Sequence, residues 1–230
     1  MSTLATHLRG AVALAALAAS AGRARASTGG YELVTITDGT RAGDGNGFVL
    51  AQSDWNSVTG LALSGDAEIP VWNGLRAVLR IQDIAGNARP GAGLAYVLAP
   101  YATAYLLYKA EGFSEPEGEI EGAIALAHGP FAGSLTFGQD ADAKNRDIEG
   151  ALAVRFAISD RISAGGLVRY RDALGTTGEP LARDGIAGAA ATIWWDRMAV
   201  NLVAGVAGVQ RVGDRFATGP AATLAIGAAF

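Results

Sequence analysis

Cysteine is absent from all 230 residues, which rules out disulfides, thiolate metal sites, a thiol nucleophile and a lipid-modified amino-terminal cysteine. Histidine is nearly absent too. His7 and His128 are the whole supply, and only His128 lies beyond the first 26 residues, a severe limit on acid–base catalysis or metal binding. Beyond residue 26 no apolar run approaches the roughly 18 residues that a membrane helix requires. If this chain crosses a bilayer it must do so with strands, since only helices and closed barrels satisfy their backbone there. Positive charge is in deficit as well, with 18 basic against 22 acidic residues, and no basic patch offsets it. Nucleic acid is therefore excluded as a partner.

The first 26 residues have the layout of a secretory signal. His7 and Arg9 precede an apolar run from Ala11 to Ala19, and Ala24-Arg25-Ala26 forms a small-x-small cleavage site. Cleavage there removes Arg9, Arg23 and Arg25 and no acids, leaving 15 basic and 22 acidic residues, a net charge of −7. Residues 27–45 are Gly-rich and read as a flexible lead. No Ser/Pro-rich linker divides the remainder, so residues 46–230 are expected to form one domain.

That remainder is a series of segments of about ten residues with alternating character, separated by turn residues. Strands are expected over 73–82, 92–98, 101–111, 118–128, 131–139, 147–159, 161–172, 185–195, 197–210 and 218–230. Two more, 47–53 and 57–69, would join near Asp54-Trp55-Asn56 and raise the count from ten to twelve, with residues 70–73 as a further short turn. The alternative places residues 27–72 inside the barrel as a plug. Connections alternate in length. Ala99-Pro100, Gly129-Pro130, Asp160 and Asp196 make tight turns, whereas 83–91, 112–117, 140–146, 173–184 and 211–217 are longer and polar.

The two faces of each strand differ in charge. Over 147–159, Ile148, Leu152, Val154, Phe156 and Ile158 share one face, and Asp147, Glu149 and Arg155 share the other. The same division sets Leu75, Ala77, Leu79 and Ile81 against Arg76 and Arg80, and Ile120, Ile124 and Leu126 against Glu119 and Glu121. Tyr108, Tyr170, Trp195 and Trp72 fall near strand ends, where aromatic side chains suit a membrane interface. The last segment carries Ala222, Leu224, Ile226, Ala228 and Phe230 on one face and ends on the aromatic residue.

The signal, the alternating strands and terminal Phe230 together resemble the bacterial outer-membrane β-barrel proteins, a class that includes small porin-like and OmpA-like barrels. The resemblance implies an all-β, closed antiparallel transmembrane barrel of ten to twelve strands in the outer membrane, with short periplasmic turns and longer external loops. It also implies contact with outer-membrane lipid and lipopolysaccharide, and recognition by the barrel-assembly machinery with Phe230 as part of the signal. A soluble periplasmic barrel of lipocalin type would carry the same alternation with its faces exchanged.

Inside such a barrel the charged face becomes a lumen lining, with Arg76, Arg80, Arg155, Arg169 and Arg171 facing Glu119, Glu121, Asp147 and Glu149. A paired lumen fixes strand register, whereas an open one makes a narrow charged path whose selectivity would respond to Arg76 or Arg80. Glu115 and Glu117 in one loop and Asp140 and Asp142 in the next could form an acidic rim for divalent cations or lipopolysaccharide. The run Asp140-Ala141-Asp142-Ala143-Lys144-Asn145 opens like a calcium loop. Lys144 occupies a ligand position, however, and the required glycine is missing, so no metal site is assigned. His128 has Ser134 as its nearest candidate nucleophile, at the short-turn end and away from the long loops. No catalytic residue and no cofactor are expected. The expected role is structural or that of a narrow pore for small solutes or ions, with a surface-facing binding barrel as the alternative.

Overall fold

The structure, a computed structural model, describes residues 47–82, 84, 88–99, 101–110, 118–141, 145–175, 178, 180–195, 198–211 and 215–229. The signal, the lead over 27–45, Phe230, Glu115, Glu117 and Asp142 lie outside the described residues.

Twelve strands run through the described chain. They are β1 (Phe48–Asn56), β2 (Gly60–Trp72), β3 (Leu75–Gln82), β4 (Arg89–Ala99), β5 (Ala102–Ala110), β6 (Gly118–His128), β7 (Phe131–Asp140), β8 (Arg146–Ser159), β9 (Ile162–Leu174), β10 (Pro180–Trp195), β11 (Met198–Arg211) and β12 (Ala217–Ala229). Each pairs antiparallel with its sequence neighbours, and β1 pairs with β12, Phe48 opposite Ala229 and Asn56 opposite Ala221. The barrel is closed. No strand is left with an unpaired edge, so the ladder bonds are made within the wall and the sheet can sit in hydrocarbon.

Two-residue connections join the strands at one end of the barrel, and connections of three to seven residues join them at the other. At the short-turn end, Asn73 and Gly74 both have positive φ, 35° and 82°, as the type I′ hairpin turn demands, and Asn-Gly is the pair best able to adopt it. Gly129, with φ of 57°, opens the Gly129-Pro130 turn in the same way.

The largest departures from the sequence reading are near the start. Residues 48–72 form two wall strands, so they do not plug the barrel. Asp54, Trp55 and Asn56 finish β1 instead of turning; the turn is 57–59. Asn56 is the cause. Its Oδ1 accepts from the backbone N–H of Val58 (3.0 Å) and of Thr59 (2.7 Å), and its Nδ2 donates to Thr59 Oγ1 (2.6 Å). The turn after β2 likewise falls at Asn73-Gly74, and Pro70 stays within the strand beside a shift of register between Pro70 and Trp72. Strand β10 begins at Pro180, five residues before its apolar alternation becomes visible.

Side-chain exposure decides which face is which. Leu94, Leu106, Ile124, Leu135, Leu152, Val168, Leu202 and Leu224 all point outward and are exposed in the isolated chain, forming an apolar belt. Asp66, Glu68, Arg76, Arg80, Lys109, Glu119 and Glu121 are buried inside. A soluble barrel would show the reverse, so the carrier alternative is excluded by the orientation of the faces. Aromatic rings edge the belt. Trp72, Tyr101, Phe131 and Trp195 are exposed near the short turns, and Trp55, Tyr108, Phe137, Tyr170 and Phe216 near the long loops. Trp194 and Trp195, adjacent in sequence, part company: Trp195 joins the outer belt and Trp194 packs inward against Leu50, Ala199 and Ala225.

Leu135 lies mid-strand in β7 at 63 % exposure. Leu135→Arg should lower the unfolding free energy in lipid vesicles by about 2–4 kcal/mol, the cost of an arginine at the bilayer midplane. Denaturant unfolding measures it, and an unchanged midpoint would show that this face does not meet lipid.

Candidate functional site: the charged lumen

The inward row of β2 and β3 sets Asp66 opposite Arg80, and the inward rows of β5 and β6 set Lys109 opposite Glu119 and Leu107 opposite Glu121. From these positions the long side chains reach one another across intervening strands. Arg80 Nε donates to Asp66 Oδ1 (2.5 Å) and its Nη1 to Glu121 Oε1 (3.3 Å), tying β3 to β2 and to β6. Lys109 pairs with Glu121 and with Glu119 Oε2 (3.2 Å), and Arg89 Nη2 lies 3.6 Å from the same Glu119 oxygen. Closer to the short turns, Arg76 Nη1 donates to Glu68 Oε2 (3.0 Å), whose other oxygen accepts from the Tyr105 hydroxyl (3.0 Å). Beneath this lattice Val78, Ala95, Tyr105, Leu107 and Ala123 pack together. On β2, β3, β5 and β6 the charged side chains of the inner face are closed off from solvent.

Charges in such a setting are stable only as a set. Removing a carboxylate or ammonium from water carries a penalty of several kcal/mol, which is recovered only where good geometry and further hydrogen bonds answer it. Arg76 and Glu68 are essentially inaccessible, at 1 % and 0 % exposure. They are structural members of the wall and are sealed from any solute passing through the barrel.

Further round, the lining changes. Glu149 stands opposite Arg171, and Ala151 opposite Arg169, on β8 and β9. Glu149, Arg169 and Arg171 are half-buried, as are Asp184 and Ile186 of β10, and Ala151 is buried. Arg171 Nε donates to Asp147 Oδ2 (2.9 Å), with the Arg171 side chain 38 % exposed. Near the short turns, Arg155 Nη1 donates to Thr192 Oγ1 (3.1 Å), which donates to Asn201 Oδ1 (3.2 Å). Arg155, whose relay partners Thr192 and Asn201 are buried, borders a hollow of about 770 Å³ at the short-turn mouth, where it, Ser163 and Trp194 meet the turn residues Gly129, Pro130, Asp160 and Arg161. The charged side chains along β8–β10 are thus more accessible than the buried ones of β2, β3, β5 and β6.

Of the nine lumen residues singled out from sequence, Arg76, Arg80, Glu119 and Glu121 belong to the sealed lattice. Asp147, Glu149, Arg169, Arg171 and Arg155 line the more accessible wall. Sequence reasoning passed over Tyr105, Leu107 and Val78, because they sit on the same inward rows as Lys109 of β5 and Arg76 and Arg80 of β3, where a search for charged side chains skips them. Asp140, from the proposed acidic rim, accepts from Asn145 Nδ2 (2.6 Å) and so holds its own loop. Among the described residues no group of three His, Asp or Glu side chains is arranged to hold a metal ion. His128 is outward-facing, edge-on to Tyr101 with ring centroids 6.3 Å apart, whereas Ser134 belongs to the inward row opposite Ala125. They lie on opposite faces of the wall.

The path of this closed barrel has counterparts among solved structures. The KdgM porin superimposes with a TM-score of 0.53 at 9 % identity, covering 80 % of this chain and 99 % of its own. The chain has the fold of an outer-membrane porin. The NanC porin gives a TM-score of 0.50 at 8 % identity, over 77 % of this chain and 98 % of its own. No family model matches the sequence, and no curated protein matches it either. What this chain shares with these porins is the path of its backbone; its lumen chemistry has to be taken from its own side chains.

Arg80→Met leaves Asp66 and Glu121 facing each other without their shared cation. It should cost about 3–5 kcal/mol, seen as a lower temperature for loss of the compact band on an unboiled gel. Adding Asp66→Asn and Glu121→Gln to the same chain should recover part of that loss, which a purely steric defect would not allow.

Proposed function

We propose that this protein is a non-enzymatic, narrow channel of the outer membrane that passes small solutes or ions along one side of its lumen. The observation that carries this reading is the division of the lining, closed to solvent around the paired charges of β2, β3, β5 and β6 and more accessible along the charged side chains of β8–β10. A barrel used only as a structural staple would gain by filling both sides with paired or apolar groups. Here Glu149, Arg169, Arg171 and Asp184 are only half-buried on the inner wall. Charges of both signs in a narrow bore shape the preference of a pore. The short-turn end faces the periplasm, as in outer-membrane barrels generally. Residues 1–26 would take the chain across the inner membrane, and Phe230 would present β12 to the assembly machinery.

Selectivity belongs to β8 and β9 on this reading, and the arginines first expected to set it, Arg76 and Arg80, are too deeply paired to do so. In planar bilayers the purified protein should give single-channel steps. Reversing Arg169 and Arg171 to glutamate should move the reversal potential in a salt gradient toward cations, whereas Arg76→Met should weaken the barrel without moving it. A heat-modifiable barrel that never conducts would overturn the proposal. Deleting Phe230 should leave export intact while the compact, heat-modifiable form fails to accumulate in the outer-membrane fraction.

A further inference from the structure

Gly138 of β7 lies between β6 and β8 near the long-loop end, opposite Glu121 on one side and Asp147 on the other. The space a side chain would occupy there is taken by two carboxyl groups. A Cβ added to Gly138 would fall 1.7 Å from Glu119 Oε1 and 2.0 Å from Asp147 Oδ1. The two oxygens converge on one point above the glycine and lie less than 4 Å apart. Glu119 is 4 % exposed, and its Oε1 has no hydrogen-bond donor from the protein.

The other oxygen of each group is answered by a cation. Glu119 Oε2 faces Lys109 and Arg89, and Asp147 Oδ2 faces Arg171. Further acids stand close on the same elements, Glu121 on β6, Asp140 on β7 and Glu149 on β8. The cations are thus engaged at the flanks. What remains between the two strands is a pair of acceptors with no donor between them, an arrangement that two ionised carboxylates cannot hold without repulsion.

We propose that Glu119 and Asp147 bind one proton between them across Gly138, joining β6 to β8 at the long-loop mouth of the lumen. A proton fits better than a metal ion, because two oxygens make too few ligands and no third carboxylate completes a set among the described residues. With the proton bound, the pair carries one negative charge and acts as a hydrogen bond that bypasses β7. When the proton leaves, two negative charges face each other at the entrance, the link is lost, and the mouth favours cations. The consequence for ion preference rests on the channel reading above; the proton-binding pair itself does not.

The test therefore has two independent readouts. Infrared spectra of the folded barrel, taken from about pH 4 to about pH 9 to span ordinary and shared carboxyls, should show a protonated-carboxyl band that survives after isolated carboxyls have ionised. The band should be lost in Glu119→Gln and in Asp147→Asn. Glu119→Gln supplies a permanent N–H donor to Asp147, so it should fold like the parent and show the low-pH ion preference throughout. In the parent, the reversal potential should shift toward cations as pH rises. Gly138→Ala places a methyl group between the oxygens and should abolish the band as well. A band unchanged in Glu119→Gln, or absent from the parent, would overturn the pair even if the barrel conducts. A band that responds to added calcium instead of protons would overturn it too. A pH shift in selectivity that persists in Glu119→Gln would disprove its role at the mouth, and a non-conducting barrel with the band present would refute the channel alone.

Discussion

Everything in this structure depends on the requirement that a backbone in hydrocarbon make its own hydrogen bonds. An unpaired N–H or C=O has no water to turn to there, and each costs several kcal/mol. A sheet meets the requirement only by closing, which here means β12 returning to β1. Closure has a second effect. It gives every strand an inner and an outer face, so a residue's place in the two-residue alternation decides whether it meets lipid or lumen. Arg155 and Phe156 are neighbours in sequence and stand on opposite sides of the wall for that reason.

Once charged residues are committed to the interior, the interior must deal with them. It does so in two ways within one lumen. Between β2 and β6 the side chains are brought together until they answer one another, and Arg80 serves two carboxylates on different strands. Around β8–β10 the groups are paired less tightly and stay only half-buried. The first arrangement holds the wall and the second leaves room beside it. A ring of evenly distributed charge would do neither as well, since full pairing fills the bore and full hydration ties no strands together.

The strands were readable in advance because their signal is local. For β6 the expected limits, 118–128, are those observed, since Glu119, Ile120 and Glu121 alternate cleanly and Gly129-Pro130 stops the run. The start of the barrel was less clear. Nothing in Asp54-Trp55-Asn56 shows that Asn56 will cap the turn that follows it and leave the preceding two residues in the strand. The lumen was legible only in part. Alternation tells which residues share a face, but Arg80 and Glu121 lie 41 residues apart, and their meeting depends on the stagger of four strands. The convergence on Gly138 is likewise a matter of register. The glycine appears in the sequence as one of 32, and only the carboxyls of Glu119 on β6 and Asp147 on β8 that reach over it give it meaning.

The outer face of β8 also works as a ruler. Apolar residues line it from Ile148 to Ile158, ten residues on, which is roughly 33 Å of strand at about 3.3 Å per residue. At the tilt of roughly 40° usual for such walls this spans about 25 Å. That is shorter than the roughly 30 Å hydrocarbon core of an average bilayer. A bilayer of ordinary thickness would have to pinch inward around this protein, whereas a thin one would meet it without distortion. The barrel is thereby matched to its membrane through the length of its strands, independently of any lipid it recognises.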